Sequence, residues 1–320
     1  MWSVAAAGGL FVCAAATGAS AAVIVGTPGS DSLVGTPAAD RIDGNAGNDD
    51  IGGAGGNDSL YGDQGVDTVH GDAGDDTVVG GAGADVLRGG IGTDLIRTVG
   101  PDSAFGGSQG DTIRVFAGDA VAHGGGGDDL LTTLPPASEA PSHAKLYGEG
   151  GADELRAYNG GGTEQTFSGG PGDDLLASHS SGNTFLGGDG DDVFDDIRPD
   201  GDLWGGGDDD EFYTATQEPD EYGSSIHCGP GDDTVVADLP DVISADCERV
   251  TIVIVRAGND DQVSGTKYVD HVFTDTGEDH VDVAGGGADT VYCGDGEDTV
   301  ELDSTDVMPA DDCENVTRVD

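Results

Sequence analysis

Positive charge is the scarcest property of this 320-residue chain: 11 Lys and Arg stand against 63 Asp and Glu, a formal net charge of −52 at pH 7. Such a surface repels phosphates, which argues against nucleic acid and anionic membranes as partners and towards cations, basic partners or plain solvation. Aromatics amount to 5%, so the large side chains of a conventional globular core are missing. Strong acidity with few aromatics normally means disorder. That reading fails only if the acids are placed rather than scattered. Long apolar runs are missing after residue 22. The opening stretch, MWSVAAAGGLFVCAAATGASAA, carries no charged side chain and ends in the A-x-A site Ala19-Ser20-Ala21. A secretory signal peptide is expected over residues 1–21, cleaved after about Ala21. The stretch is short and rich in Gly and Ala for a spanning helix, and Val12 is too large for a lipoprotein anchor at Cys13. An exported chain with no membrane span is expected.

Enzyme signatures are missing as well. No HExxH or Walker G-K-[ST] occurs. GSDSL (29–33) and GNDSL (56–60) echo a hydrolase signature, yet no base is placed beside Ser32 or Ser59. DGDD resembles the start of an EF-hand without its Glu twelve positions on. Seven histidines, among them His70 and His227, are scattered. No catalytic residue is assigned.

Glycine is what the chain has, 59 residues of it, and it is periodic. From Gly26 the sequence reads in unbroken blocks of nine: GTPGSDSLV, GTPAADRID, GNAGNDDIG, GAGGNDSLY, GDQGVDTVH, GDAGDDTVV, GGAGADVLR, GGIGTDLIR. Position six is always aspartate: Asp31, Asp40, Asp49, Asp58, Asp67, Asp76, Asp85 and Asp94. Position eight is always aliphatic, from Leu33 to Ile96. The acids are placed.

These blocks resemble the hemolysin-type calcium-binding (RTX) nonapeptide, G-G-x-G-x-D-x-U-x with U a large aliphatic. The resemblance implies an all-β fold, a right-handed parallel β-roll of about 18 residues per turn, with two nonapeptides per turn and calcium in the turns. Elementary chemistry agrees. A three-residue strand with its middle residue inwards needs one aliphatic in nine. Hard oxygen ligands, without Cys or His, suit Ca²⁺. The implied ligand pairs lie eighteen apart, Asp31 with Asp49 and Asp40 with Asp58, each turn supplying half a cage. In GDD pairs the second Asp is the expected ligand, while the first adds negative potential or binds through water.

After residue 97 the register loosens. Asp102 and Asp111 keep the aspartate phase, and HGGGGDDLL supplies Asp129. Residues 132–143, rich in Pro and Ser, read as a surface loop. From residue 145 strong copies come once per turn, with Asp153, Asp174, Asp192, Asp210 and Asp233 at position six. Leu146, Phe167, Phe185, Leu203 and Ile226 fill the opposite strand. Their position-six counterparts are Ala144, Gln165, Asn183, Gly201 and Ser224, so calcium is expected on one edge only. Further copies supply Asp279, Asp289 and Asp298. The aliphatic stretch 248–258 is the expected long strand.

The expected organisation is therefore a signal peptide (1–21), a regular roll (22–131), a loop (132–143), a roll with calcium mainly on one edge (144–236) and disulfide-bearing repeats (237–320). Four cysteines remain after the leader, an even number in an exported chain. Three pairings are possible. Separations of 19 and 20, about one turn, favour Cys228–Cys247 and Cys293–Cys313; CxxC spacing, as for zinc, is absent. The expected function is an exported calcium-binding repeat protein that folds on Ca²⁺ and has no catalytic domain. The alternative is a surface or matrix adhesion scaffold stiffened by calcium, its protein partner unspecified.

Overall fold

A strand with one buried residue cannot be stable alone, and each strand here leans on the strand one full turn away. In Ser32–Val34, Arg41–Asp43 and Asp50–Gly52 only the central Leu33, Ile42 and Ile51 are buried. Leu33 lies beside Ile51, and Ile42 beside Leu60, in parallel register. Alternate strands thus build two sheets, and eighteen residues complete a turn. The computed structural model describes residues 11–13, 20–116, 118–134, 143–157, 164–179, 182–195, 201–214, 223–238, 241–255, 261–308 and 313–319. Among them, sheet A has 13 strands and sheet B has 15, all parallel neighbours, with no helix. The coil makes about 14 turns. It is the parallel solenoid of the resemblance.

Strands longer than the three-residue segment appear from residue 59 onwards. Ser59–Gln64 and Thr68–Ala73 each run six residues. The turns stack in register, so ladder pairing continues past position one: Asp63 lies opposite Gly81 and Gln64 opposite Ala82. The interior is a stack of single aliphatics from Leu33 to Ile113, fully covered. Farther along, phenylalanines take over. Phe167 stacks on Phe185 at 4.9 Å between ring centroids, and Phe194 on Phe212 at 4.5 Å.

Both sheets cross the Pro/Ser-rich stretch unbroken. Val121–Gly126 pairs with Lys145–Gly150, and Leu130–Thr133 with Glu154–Ala157; residues 135–142 of the expected loop lie outside the described residues. Arg249–Val255 is a seven-residue strand of sheet B that buries Val250, Ile252 and Ile254. After it, Gln262–Ser264, His280–Asp282, Thr299–Leu302 and Asn315–Arg318 form a third, four-stranded sheet C. Disulfides join Cys228 to Cys247 and Cys293 to Cys313, with Cα atoms 5.3 and 5.4 Å apart. These are the two pairs that the one-turn spacing favours. Within the leader-like stretch, Phe11–Cys13 pairs with Ser32–Val34; cleavage after about Ala21 would leave Ser32–Val34 at the end of sheet A. Among the described residues no helix is long and apolar enough to cross a membrane.

Candidate metal sites in the turns

Each turn buries the backbone N–H of its position-six residue, and that donor must find an acceptor. It finds the carboxylate of the next turn. On edge A, which leads into sheet A, the N–H of Asp31 donates to Asp49 Oδ1, that of Asp49 to Asp67, that of Asp67 to Asp85 and that of Asp85 to Asp102. On edge B the same bond runs from Asp40 through Asp58, Asp76, Asp94, Asp111, Asp129, Asp153, Asp174, Asp192 and Asp210 to Asp233. Bond lengths are 2.6–3.0 Å. The chain separation stretches from 17 to 24 residues without breaking the ladder. All eighteen expected ligands, Asp279, Asp289 and Asp298 included, are buried. Beyond Asp102, edge A carries Ala120, Ala144, Gln165 and Asn183 in the same buried place. One edge keeps its acids and the other loses them.

The second carboxylate oxygen is left over. Oδ2 is buried without a hydrogen-bond partner in Asp49, Asp58, Asp67, Asp76, Asp85, Asp94, Asp111, Asp129, Asp153, Asp174, Asp192, Asp210, Asp233, Asp261, Asp279 and Asp289. One such atom would be an oddity, but a row of them is a pattern, because burying an unpaired carboxylate is costly. The space they face is made by glycine. A Cβ on Gly44 would collide with Asp49 Oδ2 and with the carbonyl of Gly62 one turn on; Gly53 and Gly62 repeat the arrangement with Asp58 and Asp67. A carboxylate oxygen and a main-chain carbonyl therefore converge on each vacated corner. Among the described residues no three acidic, His or Cys side chains gather in metal-binding range. A cation here would draw the rest of its shell from main-chain oxygens, a donor set that suits Ca²⁺ and excludes soft metals.

Burial and like charge push these carboxyls upwards. Desolvation is the main cause, carboxylates one turn away add to it, and the backbone hydrogen bond opposes it. Asp49, Asp58, Asp85 and Asp289 rise to about 6, Asp76, Asp111, Asp129, Asp174 and Asp210 to about 7, and Asp192 to about 8. A bound divalent cation would remove the cause by pairing the buried charge.

Two of the eighteen expected ligands differ from the rest. Asp31 and Asp40 have no free Oδ2, because the backbone N–H groups of Thr27 and Thr36 donate to those oxygens at 2.5 Å. Sequence reasoning also missed members of the ladders. Asp261 donates to Asp279, Asp270 to Asp289, and Asp289 to Asp306. Glu248 accepts from the N–H of Asp233, and Glu314 from that of Asp298. Each glutamate directly follows a disulfide cysteine, the one local signal that could have revealed it.

Position five corrects a second expectation. Its side chain does more than add potential: it accepts the N–H of position five one turn later. Asn48 binds Val66 this way, Asn57 binds Asp75, and Asp75 binds Thr93. Asp173, Asp191 and Asp209 bind Asp191, Asp209 and Asp232. This exposed ladder runs in the opposite sense to the buried one. Arg249 ends it with an ion pair to Asp232 at 2.6 Å, beside Glu248, which ends the other.

A family model, the RTX calcium-binding nonapeptide repeat (4 copies), matches residues 25–60, 61–96, 98–132, 159–194 and 283–304, more than half of the chain. No curated protein matches it.

Proposed function

The chain belongs to the RTX calcium-binding nonapeptide repeat family, and on that premise we propose that it is an exported, non-catalytic protein whose roll folds when Ca²⁺ fills its acidic turns. Calcium is the cofactor of the family's repeats. One observation carries the coupling: buried carboxylate oxygens without partners, repeated turn after turn. In the metal-free chain, stacked carboxylates about 4.8 Å apart repel one another, and one aliphatic per strand buries too little area to overcome that. When bound, calcium supplies the opposing charge. The chain's own residues do the rest: Oδ1 fixes the turn above through its N–H, Oδ2 offers a rigid ligand, and position-one glycine leaves the corner open. Extracellular calcium, roughly 10⁻⁴–10⁻³ M, is the range in which such modules respond.

Export is supported by the disulfides Cys228–Cys247 and Cys293–Cys313, which persist in oxidising compartments, and by the leader-like composition of residues 1–21. The test is far-UV circular dichroism of the oxidised protein with calcium and after chelation. Loss of the β signal on chelation is expected; an unchanged spectrum refutes the coupling.

A second reading, an adhesion scaffold, is favoured by the outer face of sheet A. Arg88 lies over Phe105, which stacks on His123, which stacks on Tyr147, with ring centroids 5.0 Å apart. Farther along, Trp204 stacks on His227 and is 47% exposed. Calcium-dependent retention on cells or matrix, lost on Trp204→Ala, would support this role; retention that survives chelation would oppose it.

A further inference from the structure

The ladders have ends, and three of them share a device. Among the described residues three aspartate ladders begin at Asp31, Asp40 and Asp270, and a fourth, without the device, at Asp261; Asp40 Oδ1 also accepts from the N–H of Ala22 one turn earlier. Asp31, Asp40 and Asp270 each stand four residues after a threonine at position two, in GTPGSD, GTPAAD and GTKYVD. In each case the threonine N–H donates to Oδ2, at 2.5, 2.5 and 2.6 Å. The hydroxyl binds the same carboxylate, at 2.9, 3.2 and 2.7 Å. None of these three oxygens is unpartnered.

The other turns differ at that position. Asn45, Ala54, Asp63 and Asp72 adopt φ between 72° and 76°, a left-handed conformation that a β-branched residue disfavours. Thr27, Thr36 and Thr266 do not adopt it. Threonine thus selects another turn, one that folds its own N–H onto the carboxylate. Two ladders also close at their far ends. Asp102 Oδ2 accepts from Val99 and Gly100, and Asp306 Oδ2 from Asp303.

We propose that threonine at position two marks a closing turn that holds no calcium, so that in these three ladders ions load only the turns beyond it. This rests on the family reading that the open turns bind calcium. Asp31, Asp40 and Asp270 are then positioning residues: each shapes its own turn through a carboxylate whose oxygens are already taken by hydrogen bonds.

Calcium counted per molecule by equilibrium dialysis of the oxidised full chain tests this. Asp40→Asn is expected to leave the ion count unchanged, whereas Asp58→Asn, one turn on, loses at least one ion. Equal losses from both variants would overturn the proposal. The converse exchange replaces Thr36-Pro37-Ala38-Ala39 with Asn-Ala-Gly-Asn, the sequence of residues 45–48. It keeps every carboxylate, so it decides the matter even where Asp40→Asn impairs folding. A raised count is expected, and an unchanged count would overturn the proposal. A wild-type chain that binds no calcium would instead refute the family reading itself.

Discussion

At the scale of single residues, one aspartate does two jobs, and the two oxygens can be told apart. Oδ1 of Asp67 holds the N–H of Asp49, while its Oδ2 is buried without a partner. Protonation exposes the difference. Burial raises the Asp67 carboxyl above its ordinary 3.8, and pushes Asp49, Asp76 and Asp192 up to about 6, 7 and 8 in the folded chain. Between the ordinary and the raised values the folded state binds more protons than the unfolded one, so metal-free stability falls as pH rises through that window. The chelated protein is therefore expected to be more folded at pH 5 than at pH 8, as read by far-UV circular dichroism. Calcium affinity should move the other way, weakening below about pH 6 as protons compete for the same oxygens. Metal-free β content that rises with pH would contradict this account. Position five is a lesser matter. Asp191→Ala removes one exposed acceptor from Asp209, so a cost of about 1 kcal/mol and an unchanged ion count are expected in denaturant and dialysis measurements.

At the scale of strands and turns, the nonapeptide was legible because two unrelated demands share one period. The core needs an aliphatic at position eight, and the buried N–H needs an acceptor at position six. That is why Leu60 and Asp58 can be assigned from the repeat alone. The same logic predicted that edge A would lose its acids where Ala144, Gln165 and Asn183 replace them. What the repeat could not show is who accepts from whom. Asp270 stands in GTKYVDHVF, an isolated copy without the position-four glycine, and Glu248 has no nonapeptide around it. Their roles come from stacking, which brings residues 15 to 24 positions apart into contact. The aspartate ladders at Cys247 and Cys313 end through neighbouring glutamates, and the disulfides fasten those ends. Cys228→Ser with Cys247→Ser opens a loop of about one turn, for which a loss of about 3 kcal/mol is expected in chemical denaturation with calcium present. In the core, Phe185 is stacked between turns and fully buried. Phe185→Ala should cost about 3–5 kcal/mol under the same conditions.

At the scale of the whole molecule, the charge of −52 and the scarcity of aromatics stop looking like disorder. They describe a coil whose interior is one side chain wide on each sheet and whose edges carry buried carboxylates. The edges are unequal. Edge A keeps partnerless oxygens at Asp49, Asp67 and Asp85, while edge B keeps them from Asp58 to Asp233. Calcium is thus expected to bind along one side for most of the length, leaving the opposite turns free to vary, as the stretches between Leu134 and Ala144 and between Ala157 and Gln165 do in sequence. The most direct test of the account is a calcium titration of the chelated, oxidised protein at pH 7.5, with ion binding and far-UV circular dichroism followed together. Parallel β structure that appears in step with bound calcium is the predicted result. A full β signal before any calcium is added would contradict it.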